Sequence, residues 1–257
     1  MASIQPSGGQ HGTGPRPKAP DGTRLYAVGD IHGRADLLER IHRQIRADAD
    51  EGENASRKIV RKIIYLGDYI DRGPQSFEVV DMLISDPLPG FEAVHLKGNH
   101  EDFLLGFLED GRLSESWLMN GGFQTIISYG VDCESAFEAI TVMKSVRESL
   151  TMALPENHKA FFAGLKTYHI EGDYLYVHAG LKPGRPLKDQ DEHSLLWIRG
   201  EFLGHAADFG KMVVHGHSIQ PEPDIRPNRV GIDTGAYYSN RLTCMVIEGQ
   251  SARFIHT

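Results

Sequence analysis

The stretch LYAVGDIHGRADLL, from Leu25 to Leu38, sets a short apolar run against a glycine-flanked Asp-x-His and then returns to apolar residues at a new spacing. Leu25 to Val28 reads as a buried strand, and Leu37, Leu38, Ile41 and Ile45 fall on one face of a 3.6-residue period. A strand, a loop and a helix follow. The pattern recurs twice. Ile63 to Leu66 precedes GDYIDRG (Gly67 to Gly73) and a helical run carrying Phe77, Val80 and Leu83. Ala93 to Leu96 precedes GNHE (Gly98 to Glu101) and a run carrying Phe103, Leu104 and Phe107. Serial units of this kind predict an α/β sheet with polar loops side by side at the carboxyl ends of its strands.

Those loops carry hard ligands. Asp30 and His32 stand two apart, so on an extended segment both side chains face one way. Taken singly, each block has a plain structural reading: Asp30 as part of a capped helix start, Asp68 as a turn residue, Asn99 as a buried structural amide. Carboxylate, imidazole and amide donors recurring at the ends of successive strands instead suit a pair of divalent cations acting on phosphate.

The middle of the chain has no clean repeat. Ala136 to Leu154 reads as a helix ended by Pro155, within a mostly helical insertion at about 111–169. Tyr174 to Val177, Met212 to Val214, Arg229 to Ile232 and Leu242 to Ile247 then read as strands of a second, partly antiparallel sheet. Two of them end in histidine motifs, His178-Ala179-Gly180 and His215-Gly216-His217. His42, His11 and His256 are expected to be solvated, and His95 structural.

At 257 residues the chain suits one domain, taken as 23–257 after a Gly/Pro/Ser-rich disordered leader over 1–22. Acidic residues outnumber basic ones, 35 to 27, for a formal charge of −8, which argues against a nucleic-acid partner. Cys133 and Cys244 form no paired motif and are expected to be small buried apolar residues. No run approaches the roughly 20 apolar residues of a membrane span, so a soluble cytoplasmic protein is expected.

Together GD-x-HG, GD-xx-DRG, GNHE, His-Ala-Gly and Gly-His-Ser resemble the calcineurin-like metallophosphoesterases, and the DRG and GNHE spellings are closest to the phosphoprotein phosphatase family. Trp117 to Gly130, Leu195 to Phe202 and Asn228 to Thr243 are similar to bacterial serine/threonine protein phosphatases. The resemblance implies an α/β fold of αββα type, two mixed sheets flanked by helices, with a dimetal site at the carboxyl ends of the strands. It implies that Asp30, His32 and Asp68 hold one metal, and that a bridging Asp68 joins Asn99, His178 and His217 around the other. The metals are expected to be two divalent ions, Mn first, with Fe and Zn as alternatives. Position 219 is Ile where the wider superfamily often has a second histidine, so one histidine of this loop is taken as a ligand, His217, and His215 as a supporting or core residue.

The resemblance further implies direct in-line attack by a hydroxide held between the metals, with no phosphoenzyme. Arg72 and Arg199 would bind phosphate oxygens, and His100, held by Asp71, would protonate the leaving oxygen. The expected substrate is a phosphorylated protein carrying phosphoserine or phosphothreonine, or a small phosphoester, with symmetrical dinucleoside tetraphosphate hydrolysis as the alternative.

Overall fold

The computed structural model describes residues 16–51, 59–85, 88–112, 114–132 and 140–257. Strand β1 (Thr23–Val28) is buried along its whole length, and the two-residue alternation of its side chains divides it between two cores. Tyr26 and Val28 face helices, whereas Leu25 and Ala27 face a second sheet. The strands in chain order are β1, β2 (Val60–Tyr65), β3 (Phe91–His95), β4 (Tyr168–Glu171), β5 (Tyr174–Val177), β6 (Met212–His215), β7 (Asp224–Ile225), β8 (Arg229–Gly231), β9 (Thr243–Glu248) and β10 (Ser251–His256).

One sheet runs β10-β9-β1-β2-β3, with β1, β2 and β3 parallel and β9 antiparallel to β1. The other runs β4-β5-β6-β8-β7, with a parallel centre and antiparallel edges. Helices α1 (Ala35–Asp50), α2 (Ser76–Ile84) and α3 (Asn99–Asp110) cover the outer face of the first sheet, burying Leu38, Val80 and Leu104 against Tyr26 and Tyr65. Between the sheets lie Leu25, Ile64, Tyr176, Val214 and Val230. Leu175, Val177 and Val213 face the opposite way and pack with Leu195 and Phe202 of the short helical segments beyond. Two mixed sheets flanked by helices are the architecture expected of the chain.

From residue 111 to 167 the described elements are helical: α4 (Ser114–Trp117), a π-helical turn (Leu118–Gly122), α5 (Phe123–Ser128), α6 (Ile140–Ala153) and α7 (Glu156–Ala163). Three shorter helices follow, α8 (Glu192–Trp197), α9 (Gly200–Leu203) and α10 (Ala236–Ser239).

Three expectations need correction. The Leu242 to Ile247 strand belongs to the first sheet, not the second. Both of its faces are apolar, Cys244 and Val246 on one and Met245 and Ile247 on the other, and a strand buried on both sides fits an interior position between β10 and β1. Residues 1–15 of the expected leader, and Cys133, lie outside the described residues. The end of that leader is part of the fold: Ala19 is buried and its N–H donates to the Gly249 carbonyl at 2.9 Å. Finally, His42 is buried rather than solvated, because it shares the inward face of α1 with Leu38, Ile41 and Ile45. Cys244 is buried, as expected. Among the described residues no helix is long and apolar enough to cross a membrane.

The burial of His42 has a consequence for stability. Its Nε2 lies 2.8 Å from the Tyr65 hydroxyl, and burial, with Arg46 nearby, pushes its pKa down to about 4. The unfolded chain therefore takes up the proton first as pH falls. Stability is intact above the unfolded value near 6.5 and falls as pH drops toward 4, by about 3 kcal/mol for this residue. In denaturant titrations at pH 7 and pH 4, His42→Gln is expected to lose less stability than wild type over the interval. Equal losses would contradict the assignment.

Candidate metal centre and active site

The parallel strands β1, β2 and β3 end side by side, so the loops after them, carrying Asp30 and His32, Asp68 to Arg72, and Asn99 and His100, are brought together. The second sheet delivers His178 just after β5 and His217 just after β6. Ligand atoms of His32, Asp68 and His100 all lie within 4.8 Å of one another, and so do those of Asp68, His178 and His217. Asp68 is common to both trios, the geometry of a shared ligand.

Asn99 joins the second trio: its Oδ1 is 2.9 Å from His178 Nε2 and 2.7 Å from His217 Nδ1. Asp30 belongs to neither trio. It stands beside them with Oδ2 accepting the His217 N–H at 2.9 Å, and its Oδ1 is buried without a hydrogen-bond partner. His215 faces away, with Nδ1 3.0 Å from the Gly216 carbonyl and its ring against Phe202. Arg199, exposed, donates to the His217 carbonyl at 3.0 Å, at the rim of the cluster.

Convergence does not come from the extended backbone expected for Asp30 and His32. His32, Asp68, Asp71, Arg72 and His217 have φ of 49°, 52°, 72°, 67° and 61°, left-handed conformations that non-glycine residues rarely adopt. Each costs on the order of 1–3 kcal/mol and persists only where its surroundings hold it. Buried Glu101 supplies part of that restraint. Its carboxylate accepts from the N–H of Asp68 at 2.9 Å, Tyr69 at 2.8 Å and Gly98 at 2.9 Å, so the cap of α3 also locks the loop after β2. Gly98 is required there, because a Cβ would lie 2.1 Å from Asp68 Oδ1.

The hydrogen bonds test whether cations fit. A neutral imidazole has one N–H. His178 Nδ1 meets the Leu66 carbonyl and His32 Nδ1 the Ile70 carbonyl, both at 2.9 Å, so each ring donates there. His178 Nε2 is left pointing a lone pair at Asn99 Oδ1 and, 3.4 Å away, Asp68 Oδ1; His32 Nε2 does the same to Asp68 Oδ2 at 3.5 Å. Lone pairs facing lone pairs in a buried site repel unless a cation lies between them. Burial holds the pKa of His32 and His178 low, which keeps their rings neutral and fit to ligate. Burial, then Asp233 and Asp68, pushes Asp30 well above the ordinary carboxylate range, and burial pushes Asp233 up to about 6. Two buried carboxylates pushed upward, Asp30 and Asp233, stand beside a third, Asp68, and complete a donor set of oxygen and nitrogen that suits divalent cations.

The other expected residues meet at the same place. His100 Nδ1 lies 2.6 Å from Asp71 Oδ2, leaving Nε2 toward Asp68 at 3.9 Å and Arg72 Nη2 at 3.4 Å. Burial disfavours the charged ring, but the carboxylates of Asp68 and Asp71 outweigh it and hold the His100 pKa above the ordinary imidazole value. The Arg72 guanidinium lies 4.7 Å over the Tyr237 ring.

Residues that sequence reasoning left without a role are also here. Asp233 follows the apolar run Val230 to Ile232 at the end of β8 just as Asp30 and Asp68 follow their strands, a signal that was present. Trp117 and Thr125 carried no such signal, because their contacts cross from other elements.

An arginine and a hydrogen-bonded histidine beside paired cation sites define a dimetal phosphoesterase. Residues 23–229 match the family model of the calcineurin-like phosphoesterases, and the chain belongs to that family. It is 29% identical over 232 residues to the asymmetrical bis(5'-nucleosyl)-tetraphosphatase PrpE of Anoxybacillus flavithermus, spanning 85% of this chain and 88% of that one. It is 28% identical over 231 residues to serine/threonine-protein phosphatase 2 of Escherichia coli, spanning 85% and 90%. The fold is shared with the cold-active protein-tyrosine phosphatase of a psychrophilic Shewanella, at a TM-score of 0.55 and 15% identity over 93% of this chain and 80% of that one.

Proposed function

We propose that this phosphoesterase is a serine/threonine protein phosphatase, and that Asp30, His32, Asp68, Asn99, His178 and His217 hold its two metals, with manganese the expected pair. The observation that carries the substrate reading is the buried Asp71–His100 hydrogen bond of 2.6 Å aimed into the site. Serine and threonine esters leave as alkoxides, which need a proton as the P–O bond breaks, and a held imidazole delivers one. A nucleotide leaving from an anhydride is already a stable anion and gains little from such a donor.

Held by those six residues, divalent cations would supply Lewis acidity toward the phosphoryl oxygens and would lower the pKa of water enough to yield a nucleophile near neutral pH. Arg72 presents a planar fork to two phosphate oxygens, and Tyr237 beneath it limits its swing. Arg199 adds positive charge at the His217 side of the site. His100 gives its Nε2 proton to the departing oxygen while Asp71 stabilises the charged ring and fixes its orientation.

A second reading has its own support. Tyr237 and Tyr238 pack edge to face with centroids 5.1 Å apart, and Tyr238 is 57% exposed beside the Arg72 site, a surface on which a nucleobase can stack. The tetraphosphatase relative reported above is of the asymmetrical kind, so that activity replaces the symmetrical one as the competing substrate class.

The test is relative turnover by the manganese-loaded protein on phosphoserine, phosphothreonine and phosphotyrosine peptides beside a dinucleoside tetraphosphate, with a chelator control. Serine and threonine peptides are expected to be turned over fastest and the chelator to abolish every activity. Faster turnover of the dinucleotide would overturn the protein-phosphatase reading.

A further inference from the structure

Asp71 and Arg72 are consecutive, and both are left-handed, with φ of 72° and 67°. Such a pair does not hold itself in place; its surroundings must. Beside Ser76, whose Oγ accepts the Asp71 N–H at 3.0 Å, and the His100 and Tyr237 rings, one short segment from elsewhere in the chain, Trp117 to Thr125, supplies much of that restraint. Trp117 Nε1 donates to Asp71 Oδ2 at 2.8 Å, on the same oxygen that His100 Nδ1 meets. The Thr125 hydroxyl donates to Asp71 Oδ1 at 2.5 Å and accepts from the Asp71 N–H at 2.9 Å. The Arg72 N–H donates to the Gly121 carbonyl at 3.2 Å.

The segment is shaped for this contact. Leu118–Gly122 is a π-helical turn interrupted at Gly121, whose φ is 104°. π-helical turns inside helices occur often at functional sites. A Cβ on Gly121 would lie 2.5 Å from the Arg72 nitrogen and 2.8 Å from its Cγ, so only glycine lets the two backbones approach this closely. Trp117 is fully buried against Phe107, and the indole lies against Gly122, where a Cβ would meet it at 2.7 Å. Both ends of the segment are therefore seated in the core.

We infer that Trp117 to Thr125 is a clamp that sets the two catalytic functions of the Asp71–Arg72 pair separately. Trp117 and Thr125 are positioning residues for proton delivery: they occupy both oxygens of Asp71, stop the carboxylate from rotating, and so aim His100 Nε2. Gly121 is a positioning residue for phosphate binding through the backbone of Arg72. The inference rests on the proposed reading that His100 protonates the leaving oxygen and Arg72 binds phosphate.

The metal-loaded full chain is assayed for kcat and KM on a phosphoserine peptide and on 4-nitrophenyl phosphate, whose leaving group needs no proton. Trp117→Phe and Thr125→Val are each expected to lower kcat on the peptide about tenfold to a hundredfold, with KM and the aryl ester little changed. Thr125→Ser restores the hydroxyl and is expected to recover most of the loss. Gly121→Ala is expected to raise KM about tenfold on both substrates, without preference for either leaving group.

Equal losses on both substrates in Trp117→Phe and Thr125→Val would make the segment mere structural support and overturn the inference. His100→Asn is measured alongside. A leaving-group preference in His100→Asn that is absent from the two clamp variants overturns the clamp alone. No preference in His100→Asn overturns the reading beneath it and the clamp together. Should Trp117→Phe fail to fold, the contrast of Thr125→Val with Thr125→Ser carries the test by itself.

Discussion

Asp68→Asn is expected to strip both cation sites and to reduce phosphoester turnover by about 10³-fold or more. The size of the effect follows from where the carboxylate sits. It is the one member common to the two donor trios, with Oδ2 3.5 Å from His32 Nε2 and Oδ1 3.4 Å from His178 Nε2. Burial raises its pKa, but the positive charge that His178, His100 and His32 carry when protonated more than reverses that and holds it below the ordinary carboxylate range. Asparagine keeps the shape and can still accept the His100 N–H that Asp68 Oδ1 takes at 3.1 Å. The substitution therefore removes charge with little change in packing. Metal content by elemental analysis and turnover on one phosphopeptide measure the outcome. Two metals per chain retained after the substitution would refute the shared-ligand assignment.

The second large effect belongs to His100. Its ring is buried, bonded through Nδ1 to Asp71, and presents Nε2 to the site. His100→Asn is expected to slow an alkyl phosphate by about 10² to 10⁴, the usual contribution of a positioned general acid. An aryl phosphate with a stable leaving anion should be slowed far less. Metal content decides a further point, because His100 also stands within 4.8 Å of His32 and Asp68 ligand atoms. A proton donor can be removed with the metals in place, whereas loss of one metal would make His100 a ligand instead.

Much of this site was legible residue by residue. Asp30, His32, Asp68, Asn99, His178 and His217 each follow an apolar strand, and a chain that must bury such strands gathers the polar residues after them at the carboxyl ends of its sheets. Asp233 obeys the same rule after β8. The choice of His217 over His215 rested on one glycine and an isoleucine, and the structure turns His217 toward Asn99 and His215 toward Phe202. Asp30 was expected as a full member of the first metal set, and in the structure it stands at its edge, bonded to the His217 backbone.

What the chain alone determined is local and periodic. Strand-loop-helix units, the hard-ligand blocks at their junctions and the family they spell are properties of neighbours in sequence, where hydrophobic period and turn chemistry act over a few residues. What only the tertiary structure decided is non-local. Strand β9, Thr243–Glu248, joins the first sheet because its two apolar faces need cover on both sides. His42 goes neutral into the core because its helix face does. Left-handed residues at His32, Asp68, Asp71, Arg72 and His217 are held by contacts from elements far along the chain, such as Glu101 on the Asp68 loop and Trp117 on Asp71. Their own strain would release them otherwise, and no local pattern can record a restraint that arrives only when the chain has folded.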